Sequence, residues 1–377
     1  MGGMKSKWIA VCAIIAAAAV AGGVSIYMIG QAGNKAQPAD SANLQGDSAA
    51  PAAESQGASE SAQAPAPVAP PAGSVAEYGW LSVSGGQLVD QNGEPIQLRG
   101  VSSHGIYWYP QYGNSRSIET LRDAGANVFR IAMYSAGSGG YDEHPDESYL
   151  YTRCALENTL GAGLYAIVDW HVLSEKDPNV LADKAVAFFD NISSLYADEP
   201  GVLYEICNEP NGGASWEDVK NYANKVIPVI RKNAPNAVVL VGTPNYCTQI
   251  TQAADSPLPY DNILYTYHYY ADASGGYRDS LSYARSKGIG VFVTEWGVGN
   301  DGGSDDSKVQ GLLDKSTGFL NFLDGEKISW VSWSLSNKDE GNSILKPDTA
   351  AWSGWKDSDL TSYGRFVFAR LKSGGGA

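Results

Sequence analysis

Two glutamates offer the chemistry. Glu209 closes the apolar run of VLYEICNEPNG, Val202 to Gly212, and Glu295 closes that of VFVTEWG, Val291 to Gly297. Val202, Leu203, Tyr204, Ile206 and Cys207 read as a buried strand. Pro210 lacks an amide hydrogen and disfavours a helical conformation at Glu209, so the chain must leave the sheet there. Each carboxylate is therefore offered at a rim. Two carboxyl groups acting on one bond suit glycoside hydrolysis: in its retaining form, with the groups ~5 Å apart, one attacks the anomeric carbon while the other protonates the leaving oxygen and later activates water. The acid needs a raised pKa and the nucleophile a lowered one, so their neighbours should differ.

Other residues fall where they can assist. Arg130 is a cation able to hold the nucleophile ionised. Asn208 can aim its amide at a sugar hydroxyl, and His104, His171 and His268 can hydrogen-bond carboxylates and substrate. His171 and His268 could instead ligate a metal with the glutamates, but no HxxxH or paired-carboxylate spacing supports this, so neither metal nor cofactor is expected. Asp169 is read as orienting a neighbour or stabilising the fold, and His144, in the polar stretch YDEHPDES, as solvated. Ten Trp and 22 Tyr against eight Phe is a bias toward rings with polar handles. Trp108, Trp296 and Trp333 are placed in rim loops, where a flat ring can stack on a pyranose, and Trp80 and Trp330 in packing. Lys338 and Glu340 would set a charged pair beside Trp333, or simply lie in a solvated loop.

The elements that must position these groups are short apolar runs alternating with helical patterns. The stretch LSVSGGQLVDQNGEPIQL reads as a β-hairpin with Gly-Gly and Asn-Gly turns. Eight strands are expected at Ile96 to Val101, Val128 to Met133, Tyr165 to Asp169, Val202 to Cys207, Val238 to Val241, Ile263 to Tyr267, Val291 to Thr294 and Ile328 to Trp333. Helices are expected over Ser117 to Ala124, Asp177 to Ala197, Ser215 to Asn233, Asp305 to Leu323 and Asp359 to Leu371, with a weak one around Thr248 to Ala254. Near-continuous apolar strands alternating with helices imply a parallel sheet covered on its outer face; eight units in roughly 300 residues match an α/β fold of the (β/α)8, or TIM barrel, type. A doubly wound open sheet is the alternative. It lacks support, because no GxGxxG or GxxxxGK[ST] fingerprint follows the first strand. The barrel is favoured because the polar residues gather at strand C-terminal ends, which in a barrel share one rim.

Before the barrel, composition changes. Lys5 and Lys7 precede a mostly apolar segment, residues 8–29, so residues 1–30 read as a signal peptide or a membrane anchor. Either sends the rest of the chain outside the cell. Residues 31–76 are Ala, Pro, Ser, Gln and Gly and read as a disordered linker, leaving 77–377 as the folded domain. With 26 Lys and Arg against 41 Asp and Glu, the net charge of -15 argues against a nucleic-acid partner. A monomer is expected. Cys154, Cys207 and Cys247 match no zinc pattern and allow at most one disulfide among them; Cys207 reads as a small buried hydrophobe.

The motifs IQLRGVSSHG, NVFRIAMY, AIVDWH, YEICNEPNG, YTYHYY, FVTEWG and WVSWSLSNKDE, taken together and in order, resemble glycoside hydrolase family 5, in particular its bacterial endo-β-1,4-glucanases. The resemblance covers about Glu77 to Lys372. It implies that Glu209 is the acid/base and Glu295 the nucleophile. Arg130, His171, Asn208, His268, Tyr270 and Trp333 match positions around the cleaved bond. His104, Trp108, Tyr134, Lys338 and Glu340 match residues binding glucose units on the non-reducing side. The acidic, glycine-rich segment VGNDGGSDD is where this chain departs from the family pattern. A β-glucan is the implied substrate, with soluble, amorphous or mixed-linkage glucans expected to be better than crystalline cellulose. The rivals are a β-mannanase, xyloglucanase or mixed-linkage glucanase of the same mechanism and, from another class, a non-catalytic cell-surface carbohydrate-binding protein.

Overall fold

The structure, a computed structural model, describes residues 71–273, 275–299 and 306–374, with the side chains of 306–308 excepted. The apolar segment 8–29 and most of the proposed linker lie outside the described residues, as do residues 300–305 of the stretch that follows Glu295. Within 71–374 the first ordered feature is α1 (Val75–Tyr78), N-capped by the Ser74 hydroxyl. It begins two residues before the expected domain boundary, because the Val75 amide donates to the Gly163 carbonyl at 3.0 Å. The expected hairpin follows as β1 (Ser82–Ser84) and β2 (Gln87–Val89), paired antiparallel.

Eight parallel strands then close into a barrel: β3 (Arg99–Ser103), β4 (Val128–Tyr134), β5 (Tyr165–His171), β6 (Val202–Glu205), β7 (Val239–Val241), β8 (Ile263–Tyr270), β9 (Gly290–Gly297) and β10 (Ser329–Leu335). All eight expected strands are present. β3 starts later than expected, and β5, β8 and β9 run on through the residues that carry chemistry. Around them lie α2 (Ser115–Asp123), α3 (Pro145–Gly161), α4 (Ala182–Leu195), α5 (Trp216–Asn233), α6 (Ile250–Asp255), α7 (Tyr277–Ser286), α8 (Asp306–Gly325) and α9 (Ser362–Lys372). α5 starts at a capping box in which Ser215 and Asp218 exchange hydrogen bonds, as its polar start suggests. α3 starts inside the stretch read as a solvated loop: Pro145 occupies its first turn and His144 stacks on Tyr107 at 4.7 Å, so His144 is half-buried packing. No helix among the described residues is long and apolar enough to cross a membrane.

Two apolar layers result from strand alternation. One face packs outward against the helices. The other points into the barrel, where Val128, Ile167, Leu203, Leu240, Leu264, Phe292 and Val331 form a closed plug. Two residues further along these strands the inward side chains become Arg130, Asp169, Glu205, Thr266 and Thr294. The polar layer therefore rests directly on the apolar one.

Candidate active site

At the centre of the polar layer is Arg130, fully buried on β4. Its guanidinium meets three carboxylates. Nε and Nη2 donate to Glu205 at 2.7 and 3.2 Å, Nη2 lies 3.0 Å from Asp169, and Nη1 donates to Glu295 at 3.2 Å. Burial works against its charge, but Asp169, Glu205 and Glu295 outweigh that and hold its pKa above the ordinary value. Nη2 also donates to Asn208 Oδ1 at 2.7 Å. Removing this cation would leave buried carboxylates uncompensated, which costs about 3–5 kcal/mol. The Arg130→Ala variant is accordingly expected to unfold at markedly lower urea concentration than the parent; an unchanged midpoint would contradict this account.

Glu209 reaches the rim because NEPN runs on beside the end of β5. Asn208 and Glu209 amides donate to the Trp170 and Val172 carbonyls at 3.2 and 3.0 Å, and the Asn211 amide to Lys176 at 3.0 Å. Glu295 reaches it by a register shift. Thr266 pairs with Phe292, but His268 pairs with Glu295, so β9 carries one extra residue over that interval. This bulge lets Thr294 and Glu295 both face the site. Trp296 then points the other way, fully buried against Trp330 and Tyr363 at 5.9 and 5.6 Å. The expectation that Trp296 is an exposed sugar platform is therefore wrong: it packs the barrel wall, as does Trp330.

Around the two glutamates the neighbours differ. Glu295 Oε1 accepts from the Tyr270 hydroxyl at 2.5 Å while Oε2 accepts from Arg130, so both its oxygens act as acceptors. Glu209 Oε1 meets His268 Nδ1 at 2.7 Å. Burial pushes Glu209 up to about 7, with Arg130 opposing and Glu205 adding to the shift. Burial also raises Glu295, opposed by His268 and Arg130, so the lowered nucleophile pKa expected from the sequence is not found. The reason is that Arg130 divides its charge among three carboxylates. Burial lowers His268 to about 4 and His171 well below its ordinary value, so both imidazoles are neutral near pH 7.

His171 Nδ1 lies 2.6 Å from Asp169, and its Nε2 lies 3.2 Å from the Asn208 amide nitrogen. That amide also donates to the Val172 carbonyl, so in this state the hydrogens expected to reach a sugar are spent within the protein. Asp169 holds His171 and Arg130, the orienting role foreseen for it. Glu209, His268 and Glu295 form a trio whose donor atoms lie within 4.8 Å of one another. His171, the other histidine considered as a ligand, is engaged with Asp169 and Asn208. Cys207 and Cys247 are buried free thiols.

On the other side of the dyad is an aromatic cleft. His104, Tyr134 and Trp333 gather there, with Trp333 stacked on His171 at 5.3 Å and 5.2 Å from His104. Trp108, edge-on to Tyr134 at 4.8 Å, is 40% exposed and offers its ring to solvent. Lys338 and Glu340 form an ion pair at 2.6 Å beside His104, with Glu340 buried, so they are part of the cleft and not a solvated loop. The sequence-based list thus meets in one place. It omitted Glu205, Thr294 and Tyr109. Glu205 had a signal, a charge inside an otherwise apolar strand; Thr294 and Tyr109, which lies 5.0 Å from His104, had none beyond their neighbours.

Residues 89–339 match the family model described as cellulase, glycosyl hydrolase family 5. The chain belongs to that family. It is 43% identical over 292 residues to an endoglucanase of Clostridium saccharobutylicum, covering 77% of this chain and 64% of the relative. It is 40% identical over 303 residues to endoglucanase N of Pectobacterium atrosepticum, covering 80% and 67%. The chain thus spans about two thirds of the length of each. Among solved structures, the catalytic domain of a Thermobifida fusca endoglucanase, in complex with cellotetraose, superposes with a TM-score of 0.74 at 34% identity, covering 79% of this chain and 99% of that one. These cellulase-family relatives share the barrel whose rim holds Glu209 and Glu295.

Proposed function

We propose that the protein is a retaining endo-β-1,4-glucanase. The observation that carries this reading is the pair Glu209 and Glu295, with carboxylate oxygens within 4.8 Å of each other, at the floor of an aromatic cleft. That spacing is too short to admit a water between carboxylate and anomeric carbon, and suits direct attack. Glu295, ionised against Arg130 and Tyr270, attacks the anomeric carbon and forms a glycosyl-enzyme. Glu209 gives its proton to the departing oxygen, then takes one from the water that releases the sugar.

Substrate class follows from the cleft. Trp108, exposed to solvent, presents a flat face suited to the axial C–H face of a pyranose, while Trp333, which the sequence reading placed in a rim loop, lies buried in β10 against His171. Glu340, paired with Lys338 and close to His104, places a charged pair beside the Trp108 face. The cellotetraose bound to the Thermobifida fusca domain supports a β-1,4-glucan. The N-terminal residues 1–30 would export the domain, as signal or anchor, with residues 31–76 as tether and the folded part acting as a monomer outside the cell.

Hydrolysis of carboxymethylcellulose, mannan and xyloglucan by the chain, followed by viscosity and by proton NMR of the first product anomer on cello-oligosaccharides, tests the reading. A rapid viscosity fall on the cellulose derivative with the β-anomer appearing first is expected. An initial α-anomer would overturn retention, and activity confined to mannan or xyloglucan would overturn the substrate.

A further inference from the structure

Beneath the acid/base lies a hydrogen-bonded chain that the reaction as described does not use. Arg130 grips Glu205 through Nε and Nη2, and Glu205 Oε1 accepts from the Thr294 hydroxyl at 2.8 Å. Thr294 Oγ1 lies 3.1 Å from His268 Nε2, and His268 Nδ1 lies 2.7 Å from Glu209. We propose that Thr294 and Glu205 are positioning residues for the acid/base: through His268 they fix which imidazole nitrogen carries hydrogen, and so keep the dissociable proton on Glu209. The inference rests on the glycosidase reading of the site.

A carboxylate held by two guanidinium nitrogens can only accept, so the single hydroxyl hydrogen of Thr294 points at Glu205. Oγ1 then faces His268 with lone pairs and must accept from Nε2–H. A neutral imidazole has one N–H, which leaves Nδ1 as a bare lone pair toward Glu209. Two acceptors 2.7 Å apart repel unless a hydrogen lies between them, and the only group left to supply it is the Glu209 carboxyl. The opposite tautomer would turn the Thr294 lone pairs onto the buried Glu205 carboxylate. The β9 bulge is what brings Thr294 under His268 while Glu295 faces the substrate.

The chain also serves the second half of the reaction. Once Glu209 has lost its proton, its oxygen faces a bare nitrogen, which makes it a stronger base toward the incoming water. The other charged and titratable groups around the Glu209–His268 pair are Arg130, Asp169, Glu205, Glu295, Tyr134, Tyr270, His171 and Cys247. Thr294→Val leaves all eight in place.

The test compares wild type, Thr294→Val and Thr294→Ser. In ¹⁵N NMR, wild-type His268 is expected to carry hydrogen on Nε2. Thr294→Val frees the ring to donate from Nδ1 to an ionised Glu209, so the alkaline limb of kcat/KM on cello-oligosaccharides should move down by about one pH unit, with about tenfold less activity above it. Thr294→Ser should restore the limb. The bond-cleavage burst on dinitrophenyl cellobioside, whose leaving group needs no proton, should be unchanged in Thr294→Val. A wild-type imidazole protonated on Nδ1 would overturn the proposal whether or not the variants fold. So would an unmoved alkaline limb in a folded Thr294→Val. Because the NMR readout needs no substrate, failure of the glycosidase reading would show separately, as inactivity of the wild type on every glycan.

Discussion

Replacing Glu295 with Gln is expected to cut kcat on carboxymethylcellulose by about four orders of magnitude, or about 5 kcal/mol of transition-state stabilisation, while KM changes little. Gln keeps the volume and still accepts from Tyr270 at one atom, so the cleft and its sugar contacts persist. What is lost is the electron pair that forms the bond to the anomeric carbon, and no nearby group replaces it: Glu209 faces His268, and Glu205 is locked beneath Arg130. A companion variant sharpens the test. In Glu295→Ala the vacated space sits beside the Arg130 cation, so added azide should restore turnover of an activated aryl cellobioside and give a glycosyl azide of inverted anomeric configuration. Substantial activity in Glu295→Gln would remove this residue from the mechanism.

Glu209→Gln should separate the two halves of the reaction. On cello-oligosaccharides, whose leaving oxygen must be protonated, the loss is expected to be about three orders of magnitude, within the range for general acid–base catalysis. On dinitrophenyl cellobioside the first step needs no proton, so a full burst of dinitrophenolate should precede a slow phase limited by the missing base. The pH profile supplies the second readout. Glu209 must be protonated in the free enzyme, and burial holds its pKa up at about 7. Activity of the wild type should therefore be present below that value and fall as pH rises through it, and the variant should lose that limb. An alkaline limb that survives in Glu209→Gln would assign it to another group.

These experiments bear on residues that the chain announces in different ways. Glu209 and Glu295 are visible because each ends an apolar run, and Arg130 because an arginine inside a strand must be paired. The eight strands were legible for the same reason, since β-branched and aromatic runs of that length bury on both faces of a covered parallel sheet. Lys338 and Glu340 were not legible as a pair whose carboxylate is buried while its ammonium stays exposed. Nothing in SNKDEG distinguishes a solvated loop from one whose carboxylate sits beside His104, because burial there comes from rings more than 200 residues earlier in the chain.

Sequence by itself determined the barrel, the pair of rim carboxylates and the aromatic bias of the cleft, because hydrophobic period and strand-end chemistry are local properties. Tertiary structure alone decided that burial raises the pKa of Glu295 as well as that of Glu209, the fate of Trp296 and the role of Thr294. Simple alternation from Phe292 would point Thr294 inward and Glu295 outward. The extra residue in β9 against β8 turns both inward and sends Trp296 to the wall. Such a bulge depends on pairing with a neighbouring strand and leaves no mark in the run VFVTEWG. Likewise, one arginine shared among Asp169, Glu205 and Glu295, which come from three different strands, is a fact of closure. It explains why burial prevails at Glu295, and no spacing along the chain encodes it.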